Sequence, residues 1–117
     1  ATLPYFDAVR SINSAAYLVA AFASGDYPRL AQSAGDFIHE PYRLPGVRGG
    51  SEAISAGVTA GAWTGWLSGS GSSVMCVCER PRADGVLASM TAAFAKASMP
   101  SDGRILSADN EGLVVGG

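Results

Sequence analysis

The sequence predicts an α+β domain, with helices layered on one face of a small, mainly antiparallel sheet. Three observations lead there. Apolar residues recur at helical spacings of three and four in several stretches, short apolar runs bounded by glycine read as strands, and the order is helix, helix, helix, strand, strand, helix, strand, strand. Neither a βαβ alternation nor an all-helical bundle has that order. At 117 residues, 48% of them hydrophobic and 15% charged, the chain suffices for one domain with a core and is too short for two ordinary ones. No repeat, low-complexity tract or linker divides it, so residues 1–117 read as a single domain.

From Asp7 to Ala23, the residues Ile12, Ala15, Ala16, Val19, Ala20 and Ala23 fall on one helical face, which predicts a buried stripe ending at Gly25. Asp26 is placed to cap a second helix, in which Pro28 sits in the first turn. Leu30, Ala34, Phe37 and Ile38 continue the stripe until Pro41. "HEPYRLPGVRGG", His39 to Gly50, reads as an ordered loop. Ser51 is placed to cap a short helix running to about Gly61, with Ile54 and Val58 on its face. "AWTGWL" and "SVMCVC" then read as a hairpin, the second strand nearly continuous in apolar character and so expected to be central in its sheet. A helix from Asp84 to Ala97 follows, carried by Val86, Leu87, Met90, Phe94 and Ala97. "RILSA" and "GLVV" read as two more strands around a turn at Asp109 to Gly112.

Charge and composition exclude several functions. The formal net charge is -2 and the eight Lys and Arg are scattered, so no basic stripe invites nucleic acid. The longest apolar run, "AAYLVAAFA", has nine residues, about half of the roughly 20 that span a bilayer. The expectation is therefore a soluble intracellular protein, and the opening on Ala1 without Met suggests a piece of something longer. Cys76 and Cys78 alternate on one strand and read as buried free thiols, because bridging them would be strained. With a single His in the chain, the pair lacks the ligands for zinc.

Two segments carry chemistry. "SGSGSS", Ser68 to Ser73, has glycines that let a ligand approach the backbone and amides that can form a positive nest. Glycine is also the usual solution to a tight strand connection. The loop is neither a Walker A loop nor a dinucleotide fingerprint, since no G-K-[ST] follows and a strand comes next in place of a helix. In "HEPYR", Arg43 suits a bidentate grip on a substrate carboxylate, and His39 suits a hydrogen bond to substrate. The plainer alternatives are an Arg43 paired with Glu40 or another local acid, and a His39 that caps the preceding helix. Trp63, Trp66 and Tyr42 read as packing residues.

Order and separation of these segments give a more specific reading. "GDYPRLAQSAGDFIHEPYRLP", a helix, "GAWTGWLSGSGSSVMCVCE", a second helix and "ADNEGLVV" together resemble the C-terminal half of the homoserine kinase family, in the GHMP kinase superfamily. "HEPYR" is similar to that family's H-x-P-Y-R segment, and "LSGSGSSV" to the superfamily's third, glycine-rich motif. The resemblance implies a ferredoxin-like C-terminal domain of an enzyme that moves the γ-phosphoryl group of ATP, with Mg2+, to the hydroxyl of L-homoserine, in the cytoplasm and on the way to threonine.

By the same resemblance Arg43 holds the substrate carboxylate, with His39 nearby, and Gly69, Ser70, Gly71 and Ser72 form the motif beside the phosphate-binding loop. That loop, P-x-x-x-G-L-G-S-S-A, is absent. It belongs to an N-terminal ATP-binding half, so catalysis by this chain alone is not expected. Ser72 stands where the family has Pro, and "DAVRSINSAA" offers Ser11 and Ser14 where an Asn-x-x-Arg pattern is common. The apolar surface meant for the other half is expected to let the isolated domain self-associate, and a homodimer of the parent stays open. The alternatives are a kinase for another small hydroxylated metabolite, or a noncatalytic ferredoxin-like module binding amino acids or partner chains.

Overall fold

The computed structural model describes residues 2–33 and 35–113. Helix α1 runs from Tyr5–Ser24 and ends at Gly25 in the left-handed conformation (φ 71°), as the sequence predicts. The second predicted helix is not formed. In its place a 3-10 turn spans Tyr27–Gln32, and helix α2 is a single turn, Glu40–Arg43, followed by a 3-10 turn at Leu44–Gly46. Local hydrogen bonding explains the difference. The Asp26 carboxylate accepts from the Arg29 Nε at 2.6 Å and caps nothing, and Asp36 takes up amides that a continuous helix would have used. Of the stripe expected here, Leu30 is fully buried, Phe37 is half-buried and Ile38 is exposed, while Ala34 lies outside the described residues.

Helix α3 spans Gly50–Thr59 and is preceded by Gly49 (φ 81°), so Ser51 sits inside its first turn and is not the cap. Strand β1 (Thr64–Leu67) pairs antiparallel with β2 (Val74–Val77), and helix α4 spans Ala83–Lys96 after a 3-10 turn at Arg80–Arg82. The register is Thr64 opposite Val77 through Leu67 opposite Val74. Helix α3 packs between the hairpin and α4. This close approach depends on glycine: a Cβ on Gly65 would lie 2.6 Å from the Cys76 sulfur, and one on Gly57 would lie 2.7 Å from the same atom. Ala53, Ala62, Leu67 and Val86 are the buried apolar residues of this layer, and Leu30 anchors the 3-10 turn beneath α1.

Three expectations are corrected. Residues 104–108, "RILSA", form no strand; they run exposed beside α4, with Gly103 against Leu87 and the Arg80 guanidinium donating to the Ser107 hydroxyl. In "GLVV", Gly112 and Leu113 have no regular structure, and Val114 and Val115 lie outside the described residues. Among the described residues strand β2 has β1 as its one neighbour, so the central position expected for it is not seen there. The face of α1 expected to be buried is the exposed one: Ile12 and Val19 are 66% and 63% exposed, and Ala21 is the helix's buried residue. Periodicity identifies residues that share a face, but not which body covers it.

Candidate functional site

Helix α2 and the glycine-rich hairpin loop meet. The loop Ser68–Ser73 closes β1 onto β2, with the Ser68 amide donating to the Ser73 carbonyl at 2.8 Å and the Gly71 amide donating to Ser68 at 3.3 Å. Arg43 crosses to it, donating through Nε and Nη2 to the Ser70 carbonyl at 3.2 and 2.9 Å. Glu40, three residues earlier, accepts from the Leu67 amide at 2.5 Å. One turn of helix thus holds the start of the loop at two points.

The turn is itself tied down from behind. The Asp36 carboxylate accepts from the amides of Ile38, His39 and Glu40 at 2.8 to 3.1 Å, which occupies donors that a helix start leaves free. Burial pushes the Asp36 carboxyl up, but the amide hydrogen bonds from Ile38, Glu40 and His39, together with the nearby imidazole, outweigh it and leave the group below its ordinary value. From α1, the Ser11 hydroxyl accepts from the Phe37 amide at 2.9 Å, and the Arg10 guanidinium lies 3.8 Å from the centre of the Phe37 ring. A continuous line of contacts therefore runs from α1 through residues 36–43 to the loop.

Of the residues singled out from sequence, Arg43 and Ser70 are in direct contact, and Gly69, Gly71 and Ser72 lie in the same exposed loop. The amides of Gly69, Ser70 and Ser72 make no hydrogen bond among the described residues and are free to donate. No carboxylate lies within 4.0 Å of the Arg43 guanidinium among the described residues, so the pairing with Glu40 is not formed. The His39 side chain makes no hydrogen bond to the loop among the described residues; its Nδ1 lies 4.0 Å from the Asp36 carboxylate, and the residue occupies the N-cap position of α2 without a side-chain capping bond. The arrangement offers one unneutralised guanidinium and several backbone donors on one exposed surface, which suits an anionic ligand.

Asp36 is the residue that sequence reading missed, while Glu40 and Ser11, noted there in other connections, make contacts it did not anticipate. An Asp four residues before a short turn is a capping signal, whereas no local pattern could announce a contact from Glu40 to an amide 27 positions away.

A cavity of about 1510 Å3 opens along β2 and α4, lined by Met75, Val77, Val86, Met90 and residues 99–108, and it reaches Ser72 and Ser73 at the end of the loop. Cys76 and Cys78 are free thiols, as the sequence predicts, but half-buried rather than buried; Cys76 donates to the Ile54 carbonyl at 3.8 Å, and burial pushes its thiol up to about 11. Trp63 stacks on Tyr27 with ring centres 5.2 Å apart, which accords with a packing role. No helix among the described residues is long and apolar enough to cross a membrane.

Residues 18–96 match the family model described as GHMP kinases C terminal. The chain belongs to this family. Within it, the chain is 40% identical over 109 residues to the homoserine kinase of Moorella thermoacetica, a match covering 93% of this chain and 36% of that protein. It is 30% identical over 111 residues to the homoserine kinase of Synechococcus sp. strain WH7803, covering 95% and 35%. The crystal structure of homoserine kinase from Cytophaga hutchinsonii superposes with a TM-score of 0.82 at 26% identity, over 88% of this chain and 33% of that one. The chain thus spans about a third of the length of the relatives it matches. The α+β fold expected from sequence, with helices against a small antiparallel sheet, is the fold of this family's C-terminal domain.

Proposed function

We propose that this chain is the substrate-side C-terminal domain of an ATP-dependent homoserine kinase, a cytoplasmic enzyme of threonine biosynthesis. The contact between Arg43 and the Ser70 carbonyl carries this reading, because it joins the two segments by which the chain resembles homoserine kinases. In the reaction, the hydroxyl oxygen of L-homoserine forms a bond to the γ-phosphorus of ATP. The bond from that phosphorus to the β-γ bridging oxygen breaks, ADP leaves and the hydroxyl proton is lost. Such transfer depends chiefly on positioning and on neutralising charge.

Arg43 takes the substrate carboxylate, for which its uncompensated positive charge and forked donors are suited. His39, at the start of the same turn, is assigned to the substrate side by the family resemblance. The amides of Gly69, Ser70 and Ser72 face the anionic side of the reaction and fit a phosphate. Mg2+ and the nucleotide base are held by an N-terminal domain, the one that carries the glycine-rich nucleotide loop in the family this chain resembles. The exposed apolar face of α1, with Ile12 and Val19, is the surface against which that domain packs.

A backbone amide NMR titration tests the assignment of Arg43. L-homoserine should shift the resonances of residues 39–43 and 69–73, whereas 3-aminopropan-1-ol, which lacks the carboxylate, should not. Equal shifts with both compounds, or shifts elsewhere with homoserine, would count against Arg43 as the carboxylate anchor.

A further inference from the structure

The hydrogen bond from Leu67 to Glu40 has a directional meaning that Arg43 does not share. In an antiparallel pair, residues alternate between those whose N–H faces the partner strand and those whose N–H faces away. The Ser68 amide donates to Ser73 across the hairpin, so the Leu67 amide points outward, along the free edge of β1. Water would satisfy this donor without fixing its direction. The Glu40 carboxylate fixes it, in a short charge-assisted bond between residues 27 positions apart.

Glu40 is well placed to be a fixed point. Its own amide donates to Asp36 at 2.9 Å, Pro41 follows it in the first turn of α2, and Leu67 is held by a side chain only 5% exposed. Glu40 and Arg43 are three residues apart, as are Leu67 and Ser70, so the two bonds form a two-point attachment. One of the points is contestable. A substrate carboxylate competes with the Ser70 carbonyl for the same guanidinium donors, and when it wins, the Glu40 bond is the attachment that remains.

We infer that Glu40 is a positioning residue, whose carboxylate aims the Ser68–Ser73 loop relative to Arg43 through the Leu67 amide and holds that aim when Arg43 turns to substrate. The inference deepens the kinase reading above and rests on it for the identity of the substrate. Glu40 touches no reacting atom in this role. Its work is to keep the loop amides and the guanidinium in one frame, so that one bound substrate can meet both.

Glu40→Ala and Glu40→Gln separate positioning from general support of the fold, since Gln keeps an acceptor oxygen at the same reach. In this chain, Glu40→Ala should speed hydrogen exchange of the Leu67 amide about tenfold, the effect of losing one charge-assisted bond, and shift the amides of Gly69 to Ser73. Glu40→Gln should restore both. In the complete kinase, Glu40→Ala should raise KM for L-homoserine more than it lowers kcat, and Gln should again rescue. Wild-type exchange at Leu67 in Glu40→Ala, or a Glu40→Gln as damaged as Glu40→Ala, would overturn the inference, as would an unchanged KM in Glu40→Ala. If the complete wild-type protein turned over no homoserine, the kinase reading would fail, while the exchange data would still decide whether Glu40 aims the loop.

Discussion

Arg43 and Ser70 stand 27 positions apart in sequence and are joined by two hydrogen bonds from one guanidinium to one carbonyl oxygen. Because the carbonyl is neutral, the contact orders the side chain without cancelling its charge. Arg43→Leu should therefore weaken homoserine use in the complete kinase by about 2 kcal/mol, roughly thirtyfold in kcat/KM. Arg43→Lys, which keeps the charge but not the fork, should recover only part of this. Steady-state kinetics of the two variants check it; a Lys variant equal to wild type would mean that the forked geometry is not used.

Asp36 ties down the amides of Ile38, His39 and Glu40 at the entry to α2, and its removal should be felt as stability. Asp36→Ala should cost about 1–2 kcal/mol, read from a denaturant midpoint. Because the folded state holds this carboxyl below its ordinary value, the contribution is fully present above the unfolded value of about 3.9 and is lost as pH falls through the folded value. Melting temperature followed downward from pH 6 should accordingly drop less steeply for Asp36→Asn than for wild type. Parallel curves would show that the acid sensitivity arises elsewhere.

Gly65 is the point at which the hairpin has no room to spare. A Cβ there would meet the Cys76 sulfur at 2.6 Å and the Met75 carbonyl at 2.8 Å. The backbone oxygen has little freedom to move, so Gly65→Ala should destabilise the chain by about 1–3 kcal/mol. Adding Cys76→Ala relieves the sulfur contact but not the carbonyl one, and should return only part of the loss in chemical denaturation. Full recovery would place the whole strain on the sulfur.

The Cys76 thiol should be the slower of the two cysteines. Burial first, and then the neighbouring Cys78, push it up to about 11, while burial raises Cys78 as well. At pH 8, alkylation of Cys76 in the native protein should run roughly two orders of magnitude below that of an ordinary free cysteine, with Cys78 modified first in mass spectrometry. A raised thiol also binds its proton longer in the folded state, so stability should fall as pH rises from about 8.5 towards the folded value, a slope that Cys76→Ala removes. Equal labelling of both sites would show Cys76 to be accessible in solution.

The sequence pattern located helices α1, α3 and α4 to within a few residues, because each is set by contacts three and four positions apart that the chain carries with it. The β1-β2 hairpin was legible for a similar reason, with its glycine-rich connection between two apolar runs. The strand expected at 104–108 was not, since a strand is completed by hydrogen bonds from a neighbour that its own residues do not specify. Ile12 and Val19 were read correctly as one face and wrongly as a buried one, for the partner surface is likewise nonlocal.

The sequence by itself determined the fold class, the family resemblance and the identity of the two chemical segments, "HEPYR" and "SGSGSS". Residue type and short-range spacing are sufficient for those. Only the tertiary structure decided that the segments touch, that Arg43 rests on Ser70 and not on Glu40, and that Glu40 reaches the outward amide of Leu67. Those contacts arise when α1, the Asp36 carboxylate and α3 together bring a helical turn against a hairpin end, a placement set by packing among elements far apart in the chain.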